Sequence, residues 1–309
     1  TVSKGVINDF KTRHISGGCS SGLCGFSEGN NGIVYEPVPG TSQLAGAEYL
    51  IKDERGNIYA SLPVQAKVVR FSYTGVVDVQ YQHSSLSKPS GLAYDPITEE
   101  LFVGCSIQNH IVVFDRSGTY KRTLSPPGLD ITAGLDIDPE RNIYISSHGN
   151  NCVLYITPAG ALIRYISNSL LQGPAGIVYM DGLEKLLVVS NTNNKIIAFS
   201  NTGIFLGTFG SEAQLSSPWG IAIAGGKFDK RFPVGTRYLP LERVAVTNAN
   251  SNGMVIFNPN GTVRNVLSQT GFQPKAMLIT HSFDYTPIAI TEISSEIPKE
   301  FALSQNYPN

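Results

Sequence analysis

The chain has 309 residues, a formal net charge of −1 and only 15% charged residues, so neither a basic nucleic-acid surface nor a polyanionic tail is expected. Its hydrophobic fraction of 41% is ample for a core, and closed all-β domains reach this length as single units. No apolar run approaches the roughly 18 residues that span a bilayer, so we expect no membrane insertion. Residues 1–4 lack the basic start and apolar stretch of a signal peptide, which indicates a mature or a cytosolic chain.

A Gly- and Ser-rich stretch near the start of the chain, Thr12–Asn31, carries Cys19 and Cys24. The short, flexible segment between the two cysteines lets them approach each other, and we predict a local disulfide. A metal site is the alternative reading. Zinc takes about four nitrogen or sulfur ligands, however, and only His14 is nearby, so the sequence favours the disulfide.

Five repeated units follow, each with four short β-rich runs, here called a, b, c and d, separated by turn residues. The aligned glycines of the first run are Gly46, Gly91, Gly134, Gly176 and Gly220. They are spaced by 45, 43, 42 and 44 residues, which matches a four-stranded propeller blade of roughly 40–45 residues. Tight turns such as Ser117-Gly118 and Asn260-Gly261 join runs c and d and predict hairpins.

The repeated unit resembles the NHL repeat. Its pattern P-x-G-[IL]-A stands at Pro89–Ala93 and Pro218–Ala222, N-I-Y-[VI] stands at Asn142–Ile145, and K-[IV]-[IV]-x-F stands at Lys195–Phe199 with Thr202-Gly203 after it. The WD signature of another propeller family is missing. The resemblance covers nearly the whole chain and implies an all-β, six-bladed, NHL-like β-propeller, while saying little about function.

Two further cysteines lie in neighbouring units. Cys105 ends strand b of the second unit and Cys152 opens strand c of the third, so both point toward the face formed by the b–c connections. We predict a bridge between these two blades. The alternative is a pair of buried free thiols, because free cysteine is a common core residue.

Resemblance to propeller enzymes raises a channel site as an alternative function. Lactonases of this architecture hold a divalent cation with Glu, Asp and Asn, and a related lyase uses His at the mouth of the inner strands. The residues directly before the aligned glycines include no His: Ala45, Ser90, Ala133, Ala175 and Trp219. Glu48 and Asp136 stand two positions after a glycine, but two carboxylates are few for calcium, which takes 6–8 oxygen ligands. We therefore expect no catalytic residues, no metal and no cofactor; a metal-dependent hydrolase or lyase is the alternative.

A long insertion separates strands a and b of the fifth unit, over Gly225–Glu242. It carries aromatic and arginine side chains of the kind enriched in binding hot spots: Phe228, Arg231, Phe232, Arg237 and Tyr238. Because a–b and c–d connections emerge on one face of a propeller, residues 12–31 and 225–242 are predicted to share that face, as a surface for a protein partner or for self-association. The alternative is a loop that packs on its own blade.

Both ends of the chain are predicted to complete the ring. Ala276–Ile279 and Pro287–Ile290 supply strands a and b of a sixth blade, and Gly5–Phe10 and Gly32–Tyr35 supply strands c and d. Such closure removes the last free sheet edges and makes residues 1–296 one domain.

The last residues, 297–309, form a separate segment. Their pattern P-x-x-F-x-L-x-Q-N-Y-P-N, which starts at Pro298, resembles the opening of the Bacteroidetes-type C-terminal sorting domain of type IX secretion substrates, without the β-sandwich that follows it there. We read them as a linker and the beginning of a truncated sorting domain. The resemblance implies an extracellular or cell-surface protein, consistent with disulfides, and we expect a binding or assembly module, able to form filaments, without catalysis.

Overall fold

The computed structural model describes the backbone of residues 13–19, 22–29, 32–37, 46–71, 76–224, 227–228, 238–239, 241, 243–250, 253–268 and 277–281. Side chains are described for residues 46–71, 76–224, 241, 243–250 and 253–267. No helix within these ranges is long and apolar enough to cross a membrane. The strands predicted at 5–10 and 287–290, and the segment 297–309, lie outside the described residues.

Each repeat unit forms one antiparallel sheet of four strands, and we number these sheets blade one to blade five. Three strands precede them: β1 (Arg13–Cys19), β2 (Gly22–Gly29) and β3 (Gly32–Pro37). Blade one contains β4 (Tyr49–Lys52), β5 (Ile58–Leu62), β6 (Lys67–Phe71) and β7 (Val77–Tyr81). Blade two contains β8 (Pro89–Asp95), β9 (Glu100–Cys105), β10 (His110–Asp115) and β11 (Tyr120–Leu124).

The remaining blades repeat this order of strands. Blade three contains β12 (Thr132–Ile137), β13 (Ile143–Ser147), β14 (Cys152–Ile156) and β15 (Leu162–Ile166). Blade four contains β16 (Pro174–Met180), β17 (Lys185–Ser190), β18 (Lys195–Ser200) and β19 (Phe205–Thr208). Blade five contains β20 (Pro218–Ala224), β23 (Arg243–Asn248), β24 (Gly253–Phe257) and β25 (Val263–Ser268), with β21 (Lys227–Phe228) and β22 (Tyr238–Leu239) between its first two strands.

The inner strands of the sheets lie next to one another around a ring. Strand β4 contacts β8, β8 contacts β12, and the series continues through β16 and β20 to β26 (Met277–His281), which also contacts β4. The chain is therefore an all-β propeller, as the repeat predicted. The a–b and c–d connections form one face, which we call the a–b face, and the b–c and d–a connections form the opposite face.

A further four-stranded sheet joins the two ends of the described chain, in the order β26-β1-β2-β3. Arg13 of β1 stands opposite His281 of β26. This arrangement corrects two expectations. The predicted insertion at 12–31 instead contains β1 and β2, which are paired strands of this sheet. The position beside β26, which the sequence predicts for residues 287–290, is held by β1.

Hydrophobic packing between blades explains the sequence pattern of the strands. Every residue of β5 and β14 is buried, because both faces of a middle strand are covered by neighbouring sheets. The outer strands β7 and β15 instead alternate between more and less exposed residues, since only one of their faces is covered. Burial of one large apolar side chain stabilises the fold by about 1.5–3 kcal/mol.

Glycine in the inner strands is required by close approach of one blade to the next. A Cβ atom on Gly91 would lie 2.1 Å from the carbonyl oxygen of Ala133, and one on Gly134 would lie 2.6 Å from that of Ala175. The pairing of each of these strands shifts register next to its glycine, which lets the inner strand bend toward its neighbour. A side chain at these positions would push adjacent blades apart.

The first blade departs from this pattern and corrects the alignment of Gly46. Leu50 pairs with Ala60 as Leu135 pairs with Ile145, so Tyr49 takes the place that Gly134 holds in blade three. Gly46 precedes the strand, and a Cβ atom added to it would meet no described group within 4 Å. Its positive φ of 79° suits a turn, which is why a glycine stands near the strand without having the role of the others.

Candidate functional site

The central channel is narrow and apolar in its described part. It contains a cavity of about 50 Å³ lined by inner-strand residues: Tyr49, Leu50, Ile51, Leu92, Leu135, Gly176, Ile177, Gly220 and Ile221. Among these described residues the lining contains no carboxylate, imidazole or thiol, and its one polar side-chain group is the hydroxyl of Tyr49.

Glu48 and Asp136 do not occupy equivalent positions in the ring. Because Tyr49 takes the glycine's place, Glu48 stands one residue before it, and its backbone N–H donates to the carbonyl of Ser61 at 3.0 Å. The carboxylate of Asp136 accepts the N–H of Tyr179 in blade four at 2.7 Å, and therefore links two blades. No group of three or more His, Cys, Asp or Glu side chains within the described ranges is placed to hold a metal ion.

Cys105 and Cys152 are both buried free thiols, which corrects the predicted bridge between blades. The two side chains belong to different packing layers. Cys105 packs with residues of blades one and two, including Tyr81, while Cys152 packs with residues of blades two and three, including Phe102. Blade two thus lies between the two layers. The disulfide predicted between Cys19 and Cys24 stays a prediction, because their side chains are outside the described residues.

The insertion between the first two strands of blade five begins as a short hairpin on the a–b face. Phe228 of β21 stands opposite Tyr238 of β22. Strand β21 lies beside the 3₁₀ turn Asp181–Leu183, which is the a–b connection of blade four. The base of the insertion therefore extends along this face toward a neighbouring blade. Arg231, Phe232 and Arg237 lie outside the described residues, and the binding role of the five side chains stays a prediction.

A second, larger cavity of about 360 Å³ opens on the a–b face between blades three and four, and we call it the tyrosine cleft. Its floor is a stack of three tyrosines: the ring centroid of Tyr144 lies 4.4 Å from that of Tyr155 and 5.2 Å from that of Tyr179. Four carboxylates and one guanidinium also line it: Asp138, Glu140, Asp181, Glu184 and Arg164. An aromatic floor with a predominance of carboxylates attracts cations rather than anions.

Asp138 is the most deeply placed of these carboxylates. It is 4% exposed, accepts the hydroxyl of Tyr155 at 2.5 Å, and accepts the backbone N–H of Asn142 at 2.8 Å. Burial raises the pKa of Asp138 above its ordinary value. Burial and the hydrogen bond to Asp138 also raise the pKa of Tyr155, to about 12, so the tyrosine is a neutral hydrogen-bond donor at physiological pH.

Arg164 holds the outer rim of the cleft in place. Its guanidinium lies 5.4 Å from the ring centroid of Tyr155, and its Nη1 donates to the carbonyl of Thr202 at 2.7 Å. The outer strand of blade three is thereby joined to the c–d turn of blade four. Because this guanidinium already has both an aromatic and a carbonyl partner, it shapes the rim of the cleft.

Sequence reasoning missed the tyrosine cleft, since its residues belong to four different strands and to turns of two blades. One signal was present in the repeat. Tyrosine recurs at one position of β5 and β13, as Tyr59 and Tyr144, and at another position of β8 and β16, as Tyr94 and Tyr179. Alternating blades thus carry matching aromatic pairs on facing strands.

Comparison with known proteins supports the fold alone. No protein-family model matches the chain, and no curated protein is similar to it. A chain in the crystal structure of a nidogen–laminin complex has a TM-score of 0.69 and 15% identity, covering 87% of this chain and 99% of that chain. A streptogramin B lyase has a TM-score of 0.59 and 18% identity, covering 88% of both chains. A protein of unknown function from Bacteroides caccae has a TM-score of 0.63 and 12% identity, covering 87% of this chain and 99% of that chain.

Proposed function

We propose that the chain is a six-bladed, NHL-type propeller that acts outside the cell or at its surface as a protein-binding or assembly module. The blade count is supported by the sheet order β26-β1-β2-β3, which adds a sixth four-stranded sheet to blades one to five. The contacts of β26 with both β20 and β4 also support it. The NHL assignment rests on the motifs of the repeat, such as Pro89–Ala93 and Lys195–Phe199.

The observation that carries the binding function is the combination of two features on the a–b face. The base of the 225–242 insertion lies beside the a–b turn of blade four, and that same turn borders the tyrosine cleft. A cavity with stacked aromatic rings next to a long, aromatic- and arginine-containing loop suits recognition of another macromolecule. A protein partner and a second copy of this chain are the two occupants that this surface would take.

The comparisons are consistent with this function without deciding it. One similar chain belongs to a crystal structure of a nidogen–laminin complex, which is an assembly of proteins. The lyase similarity favours the alternative of a channel enzyme, yet the cavity described in the channel is apolar. Stoichiometric divalent metal after exhaustive dialysis, together with turnover of a lactone, would support that alternative over the binding function.

Export is proposed from the C-terminal segment and the first two cysteines. Residues 298–309 resemble the opening of a type IX sorting domain. Cys19 and Cys24 lie on the paired strands β1 and β2, diagonally to each other, because Cys19 stands opposite Gly22 and Cys24 opposite Gly17. A disulfide across this hairpin would suit an oxidising environment. Cell fractionation with an antibody to the propeller would test the location: protein found only inside the cell contradicts export.

The binding function is tested by replacing residues 229–237 with a glycine–serine segment of equal length. Sedimentation velocity should show loss of self-association, and pull-down from the native source should show loss of co-purifying protein. The matched control is Ile107→Ser, which removes an exposed side chain from the opposite face, where Ile107 is 67% exposed. Unchanged assembly and unchanged partner capture in the loop variant would contradict the proposal.

A further inference from the structure

The tyrosine cleft has a counterpart between blades one and two, at the same positions of the repeat. In blade one, the last paired residue of the inner strand is Lys52, which stands opposite Ile58, and Asp53 follows it directly. In blade three, the last paired residue is Ile137, which stands opposite Ile143, and Asp138 follows it directly. Tyr59 and Tyr144 come next along the second strand. On the facing blade, Tyr94 pairs with Leu101 as Tyr179 pairs with Leu186. The two clefts are therefore comparable residue by residue.

The cleft between blades one and two is filled by a guanidinium of the chain itself. Nη1 of Arg116 lies 3.4 Å from Oδ2 of Asp53 and donates to the hydroxyl of Tyr94 at 3.1 Å. The ring of Tyr94 stacks on that of Tyr59 at 5.4 Å. A second arginine, Arg55, donates to Oε1 of Glu99 at 2.6 Å. This cleft shows which group an aspartate and two stacked tyrosines of this geometry accommodate.

The tyrosine cleft lacks both of these arginines. Arg116 is the first residue after β10, and the residue in the same place after β18 is Asn201. Arg55 stands two residues after Asp53, and the residue two positions after Asp138 is Glu140. Glu99 is matched by Glu184, and both have a positive φ, 54° and 48°. The acidic positions of Asp53 and Glu99 are thus kept, whereas Glu54 is matched by Pro139 and these two basic positions have become Asn and Glu.

Arg164 does not replace Arg116. It stands on the outer strand opposite Tyr155, where the first cleft has Val79 opposite Arg70. The residue that matches Arg70, whose guanidinium donates to the carbonyl of Arg116 at 2.9 Å, is Tyr155, because each pairs with the tyrosine of the neighbouring strand. Within the part of the chain that the structure describes, no ion pair involves Asp138, whereas Asp53 has Arg116. Asn201 meanwhile donates to Glu184 at 3.2 Å and leaves the cavity of about 360 Å³ open.

We propose that the tyrosine cleft binds a guanidinium group supplied from outside the chain, in the position that Arg116 holds between blades one and two. The group would meet Asp138 and the stacked rings of Tyr144 and Tyr179, with Glu140 and Glu184 at the rim. Charge-assisted hydrogen bonds and cation–π contacts favour such a group over a neutral one of equal shape. An arginine side chain and a small guanidino compound share this chemistry. Only the choice of a protein as its source rests on the function proposed above.

The primary test uses capped arginine, Nα-acetyl-arginine amide, with capped citrulline as its neutral isostere. Isothermal titration calorimetry should show one site for capped arginine on the wild-type protein, and binding of capped citrulline weaker by about tenfold or more. Asn201→Arg should abolish the site, because the new side chain takes the position of the ligand; its circular dichroism and melting temperature show whether it is folded. Equal binding of both compounds, no binding of either, or full binding by a folded Asn201→Arg variant would overturn the inference.

The reciprocal experiment empties the other cleft. In the triple variant Arg55→Glu, Arg70→Tyr and Arg116→Asn, the first cleft acquires the residues that the second has at these three positions, and capped arginine should bind with a stoichiometry of about two. A folded triple variant that still binds one equivalent contradicts the equivalence of the clefts. If this variant does not fold, the guanidinium site is judged from the binding of capped arginine to the Asn201→Arg variant alone.

Two further measurements separate the source of the ligand and the proposed function. A pentapeptide Gly-Gly-Arg-Gly-Gly that binds more tightly than capped arginine indicates an arginine within a protein, and equal affinities indicate a small guanidino compound; both results support the cation site. The variant with residues 229–237 replaced should keep binding capped arginine. If it does so and also retains all its partners, the proposed function fails while the guanidinium site stands.

Discussion

Arg116 and Asn201 occupy the same position in blades two and four, each directly after the third strand, yet they do opposite things to the cleft in front of them. Arg116 reaches across to Asp53 of the preceding blade, with Nη1 and Oδ2 3.4 Å apart. Asn201 is shorter and bonds to Glu184 of its own blade. One residue type thus closes an acidic aromatic cleft and the other leaves it open.

Gly91→Ala should destabilise the protein strongly, because the added Cβ would lie 2.1 Å from the carbonyl oxygen of Ala133 in the next blade. Backbone on both sides must shift, and overpacking of this kind costs about 1–3 kcal/mol. Urea denaturation followed by circular dichroism measures the free energy of unfolding. Ser169→Ala, at an exposed position, is the control and should change it by less than about 0.5 kcal/mol. Similar values for the two variants would show that the inner strands can separate freely.

Asp138→Asn should gain stability relative to wild type as the pH rises through the acid range. Burial raises the pKa of Asp138, so the folded protein holds this proton more tightly than the unfolded chain, whose aspartate pKa is about 3.9. Ionisation of Asp138 therefore costs the wild type stability as the pH rises through the raised folded value, while Asn stays neutral. Urea denaturation between about pH 3 and about pH 7 measures the difference. A difference that is constant, or that falls with pH, would contradict the assignment.

Asp95→Asn should show the opposite trend. Burial raises the pKa of Asp95, but hydrogen bonds from Thr98 and the N–H of Ile97, together with Arg141 at 2.7 Å, outweigh it and lower the pKa. The ionised carboxylate therefore stabilises the fold above the unfolded pKa of about 3.9, and that contribution is lost as the pH falls through the lowered folded value. The variant should lose most stability near neutral pH and least in acid. The same series of urea curves checks it, and an Asp95→Asn variant that gains stability relative to wild type as the pH rises, or shows no trend, would contradict this prediction.

Arg122→Lys should weaken the junction of blades two and three. The guanidinium of Arg122 bonds both oxygens of Glu100, at 2.7 and 2.8 Å, and also the carbonyl of Pro158 in blade three at 3.1 Å. Lysine cannot make this forked contact, so we expect a loss of about 1–2 kcal/mol. Arg55→Lys is the control, because its pair with Glu99 is exposed and worth about 0–1 kcal/mol. Thermal unfolding measures the loss of stability in both variants. A larger loss for Arg55→Lys than for Arg122→Lys would contradict a stabilising role of Arg122 between blades two and three.

Cys105 and Cys152 should resist alkylation in the native protein and react at once after unfolding, without any reductant. Burial raises the pKa of Cys105 to about 11 and raises that of Cys152, so neither thiol is ionised at about pH 8. Mass spectrometry of peptides after iodoacetamide treatment, with and without urea, measures this. Cys19 and Cys24 should instead need a reductant before they react. Rapid native labelling of Cys105 would contradict its burial.

The repeat itself determined the propeller, because turn residues and β-rich runs recurring every 42–45 residues leave few ways to bury so many short strands. It also indicated that both chain ends share a sheet. The repeat did not predict which residues form the strands of that sheet. Strands β1 and β2 are rich in Gly and Ser, a composition typical of loops, and their strand structure depends on pairing with each other and with β26. The role of Gly46 is hidden in the sequence for a similar reason, since a turn glycine and a glycine required by close contact look alike there.

Tertiary structure alone decided the thiols and the clefts. Cys105 and Cys152 stand at matching ends of adjacent blades, and only the packing shows that blade two separates their layers. The sequence likewise does not show why the difference between Arg116 and Asn201 matters. The structure shows it because each side chain borders a cleft with an aspartate of the preceding blade, and a charge acts mainly on the groups that lie within a few ångströms of it.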